Sequence, residues 1–375
     1  MHVFIYVIIF FAFFDLFAQL PIISPFAIEL QATPFLTGLA VGMYSLSNTF
    51  GNIISGIFSD RKGPFAILVA GLLLTAFSLF TYALAEGPYS LLAIRFLHGL
   101  AAGLIVPAAF TYLANRTDRS RRGKGAAVSG AFVGLAAIIG PAYGAIFSSQ
   151  SGVPATMATT GSMLLVLGLL SFFLLNRKIK KKEKLPAEPL TASMITQNPG
   201  LLRAFMGAFF LMFSQGVLAY MLPLKVSGLG LPSQMSGLLL SVFGFAAILV
   251  FLLPVNRLFD AVKPVYTLIA GFLIMGSALF LLSNVSAAFM LYFSMISYGV
   301  GFALLFPSIN SLLIDSTTQY SRGKAYGYFY AFFSIGVVAG SSFTGALALT
   351  ADQGFVTSGV LLISAAAVNF ATLRK

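Results

Sequence analysis

The sequence predicts an all-α integral membrane protein: twelve transmembrane helices arranged as two parallel six-helix repeats. Three observations predict it. Of 375 residues, 58% are hydrophobic and 9% charged, where a soluble domain carries roughly a quarter charged residues, and the mean hydropathy is +0.95. Apolar runs recur at the length of a bilayer crossing, about 20 residues each, and basic residues punctuate every second break. The second half also repeats landmarks of the first at a shift of 200 residues. This much apolar surface excludes a soluble enzyme, a nucleic-acid binder and a disordered chain, because a single soluble core stops growing near ~250–300 residues. There are no cysteines, so disulfides and thiolate metal sites are excluded. No metal site and no cofactor are expected.

Charges and Gly/Pro clusters divide the chain into spans at 3–26, 37–58, 65–85, 89–113, 124–147, 156–176, 202–223, 235–256, 264–283, 287–314, 323–347 and 354–373. The first run, MHVFIYVIIFFAFFDLFAQLPIISPF, is too long for a signal-peptide core and reads as a retained span. The one long connection, residues 177–200, is basic, polar and Pro-containing. It separates an N-terminal bundle at 1–176 from a C-terminal bundle at 201–375.

The net charge of +12 reads as membrane orientation. All but two of the 22 basic residues fall at alternate breaks, the exceptions being Arg95 inside span 4 and Lys225 just past span 7. Positive-inside bias makes that side cytoplasmic. The expected location is the cell membrane, with both termini cytoplasmic.

The two halves share one register. The shift of 200 pairs Asp60 with Asp260, Gly71 with Gly271, Gly99 with Gly299, Arg122-Gly123-Lys124 with Arg322-Gly323-Lys324, and Gly140 with Gly340. Six intervening helices preserve orientation, so the repeats are parallel and related by an axis along the membrane normal. That arrangement describes a transporter with its site at the repeat interface.

Three places carry polar chemistry inside apolar runs. Asp15 is the one acid deep in a span. Arg95 lies several residues inside span 4, where a charge costs about 2.5–3.5 kcal/mol on insertion scales. His98 is three residues on, so it shares a helix face with Arg95. Each charge should face the protein interior, and Asp15 is expected to meet Arg95 or His98. Asp15 reads as a coupling group or as half of a structural ion pair, and His98 as a titrating group or as a hydrogen-bonded packing residue. Between spans 2 and 3 lies Gly56-Ile-Phe-Ser-Asp60-Arg61-Lys62-Gly63, whose glycines permit a tight turn. Span 5 ends with Gly140-Pro141-Ala-Tyr-Gly144-Ala145, small residues and a proline that bend a helix and admit a close neighbour. Gln19, Phe213, Gln215, Tyr298, Phe302 and Asn310 are candidates for lining a cavity.

These motifs resemble the major facilitator superfamily over the whole chain, in its twelve-helix drug–proton antiporter branch. The Gly56–Gly63 string is similar to the family's first signature, and Asn256-Arg257-Leu-Phe-Asp260 to its degenerate second copy. Pro64-Phe65 departs from the basic residue usual after that signature. Arg95-Phe-Leu-His98-Gly99 resembles the family's span-4 motif, with His98 where glutamine is commoner. The Gly140–Ala145 string resembles the antiporter motif, with Ala145 and Ala136 replacing glycines. The resemblance implies a central cavity lined by spans 1, 4, 7 and 10. It also implies a cytoplasmic gate of Gly56, Asp60, Arg61, Gly63 and Asp260. In that gate Asp60 would approach Ser321–Lys324 in an outward-open state, and Asp260 would approach Arg121–Gly125.

The expected function is secondary active transport by rocking of the two bundles. It is read as proton-coupled efflux of small amphipathic or lipophilic compounds, with Asp15, Arg95 and His98 in proton and substrate coupling. No nucleotide-binding loop is present to supply another energy source. The expected partners are a small-molecule substrate, protons and the lipid bilayer, with no nucleic acid, and the protein is expected to act as a monomer. An uptake carrier or lipid flippase on the same fold is the first rival, and a non-transporting membrane sensor or scaffold the second.

Overall fold

A computed structural model describes the backbone of residues 2–116, 122–175, 197–252, 262–318 and 322–374, and side chains over a slightly narrower set that omits 2, 60–62, 114–127, 251–252, 322–324 and 374. The described residues are helical with short connections. We number the helices α1 His2–Ala18, α2 Ile23–Glu29, α3 Pro34–Lys62, α4 Pro64–Phe80, α5 Pro88–Ala102, α6 Ile105–Arg116, α7 Arg122–Leu174, α8 Pro199–Gly228, α9 Gln234–Leu252, α10 Pro264–Asn284, α11 Ala288–Asp315, α12 Arg322–Ala346 and α13 Ala351–Ala371. Among the described residues, eight helices are long and apolar enough to cross a membrane, and the bent pair α1–α2 makes a ninth. Dividing α7 at Gly152 and adding α3 and α9 gives twelve.

The boundaries have local causes. Thr33 caps α3 by accepting from the Leu36 amide at 3.3 Å, with Pro34 at the first helical position. Proline suits that position because its missing N–H had no helical partner. Gly63, with φ 89°, ends α3, and Pro64 starts α4. A side chain would strain that backbone, so the last glycine of the Gly56–Gly63 string is needed for the turn itself. Asn198 caps α8 through its side-chain oxygen, which accepts from Gly200 and Leu201. Thr350 and Gln353 form a reciprocal capping box on α13.

Three expectations need correction. The single first span is bent by 47° between α1 and α2, because Pro21 and Pro25 cannot donate to the helical ladder. The gap expected at 148–155 is helical on both sides, with its break confined to Gly152 at φ 80°. Lys225 lies inside the last turn of α8, since that helix runs on to Gly228.

Contacts divide the chain into two compact units, Met1–Lys182 with Leu231–Ser241, and Glu183–Gly230 with Val242–Lys375. Residues 231–241 group with the first unit through α7. A Cβ on Gly237 would run into the Pro141 carbonyl, and Gln234 donates to Ser149 Oγ at 2.8 Å.

Inside each unit the glycines mark where backbones meet. In the first, a Cβ on Gly71 would strike Leu104 and Ile105, and one on Gly99 would strike Tyr44 and Ser47. In the second, a Cβ on Gly271 would strike Leu305 and Gly301, and one on Gly299 would strike Phe243 and Ala246. The shared register of the sequence is thus a shared packing scheme. Small residues suit it, because helices in lipid associate by close van der Waals contact rather than by a hydrophobic drive.

Candidate functional site

The first unit gathers its polar side chains around α5. Asp15 on α1, Arg95 and His98 on α5, and Gln19 just past α1 are 2, 3, 0 and 2% exposed. Nε2 of His98 lies 3.0 Å from Oδ2 of Asp15. Nδ1 of His98 lies 3.0 Å from the Tyr82 hydroxyl. Arg95 does not touch Asp15. Its Nε donates to the Ala40 carbonyl at 2.8 Å and its Nη2 to Val41 at 3.1 Å. Its Nη1 donates to Gln19 Oε1 and, at 3.4 Å, to the Tyr82 hydroxyl. The guanidinium also sits 5.1 Å from the centre of the Tyr44 ring, a cation–π distance.

Local structure explains the convergence. Arg95 and His98 are one helical turn apart on α5. Tyr82 belongs to a 3-10 turn, Thr81–Leu84, that tightens the end of α4 and puts the hydroxyl over His98. Gln19 follows the end of α1, and its Nε2 reaches back to the Asp15 carbonyl at 3.1 Å. Behind α1, a Cβ on Gly144 would run into the Ala18 carbonyl, and one on Gly140 into Phe17. Pro141 stays within the helix, and the non-helical torsions of α7 fall at Gly152. What Gly140 and Gly144 provide is the close seat for α1, which sets the depth at which Asp15 stands.

The Tyr82 and His98 rings stand between the Arg95 guanidinium and the Asp15 carboxyl. The guanidinium is held by carbonyl, amide and phenol oxygens. The carboxylate accepts from His98 through one oxygen, while its Oδ1 is buried without a hydrogen-bond partner. A buried acceptor with no donor is costly.

The other cavity candidates lie in the second unit. Phe213 is 6% exposed and Tyr298 1%, and the Tyr298 hydroxyl lies 2.7 Å from Ser214 Oγ. Phe302 stacks on Phe306 with centroids 5.8 Å apart. Asn310 donates back to the Phe306 carbonyl at 2.9 Å, and Gln215 is half-buried. Gly56 lies within α3. The side chains of Asp60 and Arg61, and all of Asp260, lie outside the described residues, as do the gate contacts expected at Ser321–Lys324 and Arg121–Gly125.

Sequence reasoning missed Tyr82, because a tyrosine near a span end is ordinary at a membrane interface, and Tyr44, because a single aromatic ring inside an apolar span carries no charge to mark it. It also missed the ion pair of Lys225 with Asp352, 2.5 Å apart. The Lys225 ammonium donates besides to the Ser283 carbonyl at 3.3 Å, tying together the C-terminal ends of α8 and α10 and the N-terminal end of α13.

Comparison with known proteins gives a consistent result. The Major Facilitator Superfamily matches residues 5–248 and 204–375. The Multidrug resistance protein MdtG of Salmonella typhi is 30% identical over 344 residues, covering 88% of this chain and 83% of that protein. The protein of the same name from Salmonella arizonae is 29% identical over the same coverage. Among solved structures, a bacterial homolog of the human lysosomal transporter Spinster superposes with a TM-score of 0.81 at 14% identity, covering 100% of this chain and 96% of that one. The nucleoside transporter NupG gives 0.80 at 13% identity, covering 100% of this chain and 99% of that one.

Proposed function

The chain belongs to the Major Facilitator Superfamily and is a multi-pass membrane transporter, and from that premise we propose that it exports small amphipathic or lipophilic compounds in exchange for protons, by alternating access. The observation that carries the reading is the Asp15–His98 pair, buried at 2 and 0% exposure with one carboxylate oxygen unpartnered. Multidrug resistance relatives at 30% identity support export as the direction and drug-like compounds as the class. The aromatic rings of α8, α9 and α11, with Phe243 against both Tyr298 and Phe302 at 5.4 Å, support a lipophilic substrate.

The physics of the exchange follows from charge balance. With Asp15 ionised, the network carries one positive and one negative charge. With Asp15 protonated, the Arg95 charge stands uncompensated among low-dielectric surroundings, a state whose energy differs between conformations that admit water and those that do not. Proton binding therefore biases the conformational equilibrium, which is what coupling requires. The protein works as a monomer in the cell membrane, with both termini in the cytoplasm.

The test is transport in inverted membrane vesicles energised by a proton gradient. They should accumulate a lipophilic dye, and the accumulation should collapse with a protonophore. Energised uptake of the same dye by whole cells would reverse the direction and favour an uptake carrier. Reporter fusions at Lys182 and Lys375 should both read cytoplasmic, and an external reading at either refutes the topology.

A further inference from the structure

Hydrogen atoms in the buried network can be placed by elimination, and they run one way. Resting on the proton-exchange reading above, we propose that Tyr82 is a positioning residue: its hydroxyl hydrogen occupies Nδ1 of His98, keeps the imidazole neutral with its one hydrogen on Nε2, and so directs the transported proton to Oδ1 of Asp15. The argument starts from Arg95, which has hydrogens to give and no lone pair to accept with. At its contact with Tyr82 the phenol oxygen must therefore accept. The single phenol hydrogen is left for Nδ1 of His98, 3.0 Å away. With Nδ1 accepting, a neutral imidazole carries its hydrogen on Nε2 and donates it to Oδ2 of Asp15 at 3.0 Å. The chain reads Arg95 to Tyr82 to His98 to Asp15, with each group donating to the next.

The groups that face His98 come from four elements: Asp15 from α1, Tyr44 from α3 with its ring edge-on at 5.0 Å, Tyr82 from the 3-10 turn, and Arg95 from its own helix. None offers a new acceptor to a protonated Nδ1. A proton added at Nδ1 would make that nitrogen a donor toward an oxygen already accepting from Arg95. It would also strand the phenol hydrogen in a residue that is 0% exposed, and a buried donor left unpaired is unfavourable. A proton added at Oδ1 of Asp15 also meets no acceptor, but it breaks none of the bonds already made: Oδ2 keeps accepting as a carbonyl oxygen and the phenol hydrogen keeps its place on Nδ1. In that step an O–H bond of hydronium breaks, the Oδ1–H bond forms, and water is released. The carboxylate loses its charge, and His98 stays neutral throughout.

The chain contains two histidines, so His2→Gln leaves His98 alone to be observed. Full-length protein in that background, isotope-labelled at histidine Nδ1 and reconstituted in lipid, reports by solid-state NMR whether Nδ1 carries a hydrogen. An unprotonated Nδ1 is expected at neutral pH, and also in Asp15→Asn, whose amide oxygen can still accept from Nε2. In Tyr82→Phe a protonated Nδ1 signal should appear as imidazolium, since the Asp15 carboxylate still requires a hydrogen on Nε2. A protonated Nδ1 with Tyr82 in place, or an Nδ1 that stays unprotonated in a folded Tyr82→Phe, overturns the proposal. Should Tyr82→Phe not fold, acidification of the unsubstituted Tyr82 protein decides. The infrared band of a protonated carboxyl, absent in Asp15→Asn, should grow while Nδ1 stays unprotonated, and the reverse order refutes the relay. These signals do not depend on transport. Unimpaired proton-driven export by Asp15→Asn would overturn the exchange reading while leaving the tautomer assignment to stand or fall on its own.

Discussion

Where the first unit holds His98, the second holds Tyr298, at the same repeat position. The surroundings correspond as well. His98 bonds to Asp15 on α1, and Tyr298 lies 2.7 Å from Ser214 on α8. Tyr44 stands edge-on to His98 at 5.0 Å, and Phe243 stands edge-on to Tyr298 at 5.4 Å. The shift of 200 that relates His98 to Tyr298 turns Arg95 into Met295 and Tyr82 into Leu282, both nearly fully buried. Each unit therefore keeps one cross-helix hydrogen bond with an aromatic ring against it. In the first that bond joins a carboxyl and an imidazole beside Arg95, while in the second it joins two hydroxyls. A hydroxyl pair costs the membrane little, but buried charge is expensive and persists where it has a use. The packing scheme is thus a property of both halves, and a carboxyl–imidazole pair at this position a property of one.

The largest effect that could break this contrast is loss of Asp15. Asp15→Asn keeps shape and the bond from His98 but cannot gain or lose a proton. Proton-driven export should fall to the level of membranes lacking the protein, with expression and thermal unfolding unchanged. Active transport at the original rate would mean that the charge asymmetry has no role in coupling.

Next comes Arg95→Met, which copies Met295 into the first unit. Removing a charge from a span relieves about 2.5–3.5 kcal/mol of insertion cost. Against that, Gln19 and Tyr82 lose a donor and Asp15 loses its counter-charge. We expect normal insertion and an unfolding temperature no lower than the original by more than a few degrees, but no proton-driven export. A protein that fails to insert would make Arg95 structural and erase the functional contrast.

A smaller, graded effect separates packing from chemistry. Gly144→Ala pushes a methyl against the Ala18 carbonyl, and Gly340→Ala pushes one against the Phe213 carbonyl. Overpacking of this kind costs about 1–3 kcal/mol, so both variants should unfold at lower temperature by similar amounts. Gly144→Ala should in addition lower the number of protons exchanged per substrate, because α1 carries Asp15. Equal transport defects in the two would show that helix seating, and not Asp15 placement, limits the rate.

The legible part of this site was its charge. Asp15 and Arg95 stand out because an apolar run penalises every ionisable residue, and His98 follows from its position one turn away. Tyr82 stayed hidden since nothing in a Thr-Tyr-Ala-Leu helix end announces a 3-10 turn that swings a hydroxyl inward. Of the two partners expected for Asp15, Arg95 or His98, the structure gives His98, and the rings of His98 and Tyr82 come between Asp15 and Arg95. In the fold, spans were readable from length and hydropathy, but the bend after Ala18 was not. Pro21 and Pro25 signal a weakened ladder without saying whether the helix kinks or stops. Lys225 reads as just past its span, whereas the helix continues through Pro223 to Gly228.

The smallest expected effect lies in the second unit, and it sharpens the comparison most. Ser214→Ala leaves the Tyr298 hydroxyl, 1% exposed with its residue, without the partner it has at 2.7 Å. An unmade buried hydrogen bond costs about 1–3 kcal/mol, so the single variant should unfold several degrees lower. Adding Tyr298→Phe removes the stranded hydroxyl as well. Replacing both partners by apolar groups of the same shape is nearly neutral, so the double variant should regain most of that stability. Throughout the series the number of protons exchanged per substrate should stay at the original value, since neither hydroxyl changes charge over the working pH range. Calorimetry or fluorescence-detected unfolding gives the first part, and vesicle transport with a pH-sensitive dye gives the second. A double variant that is stable yet uncoupled would place part of the proton path in the second unit. The difference between the Asp15–His98 pair and the Ser214–Tyr298 pair would then be one of degree, with both repeats contributing to the same exchange.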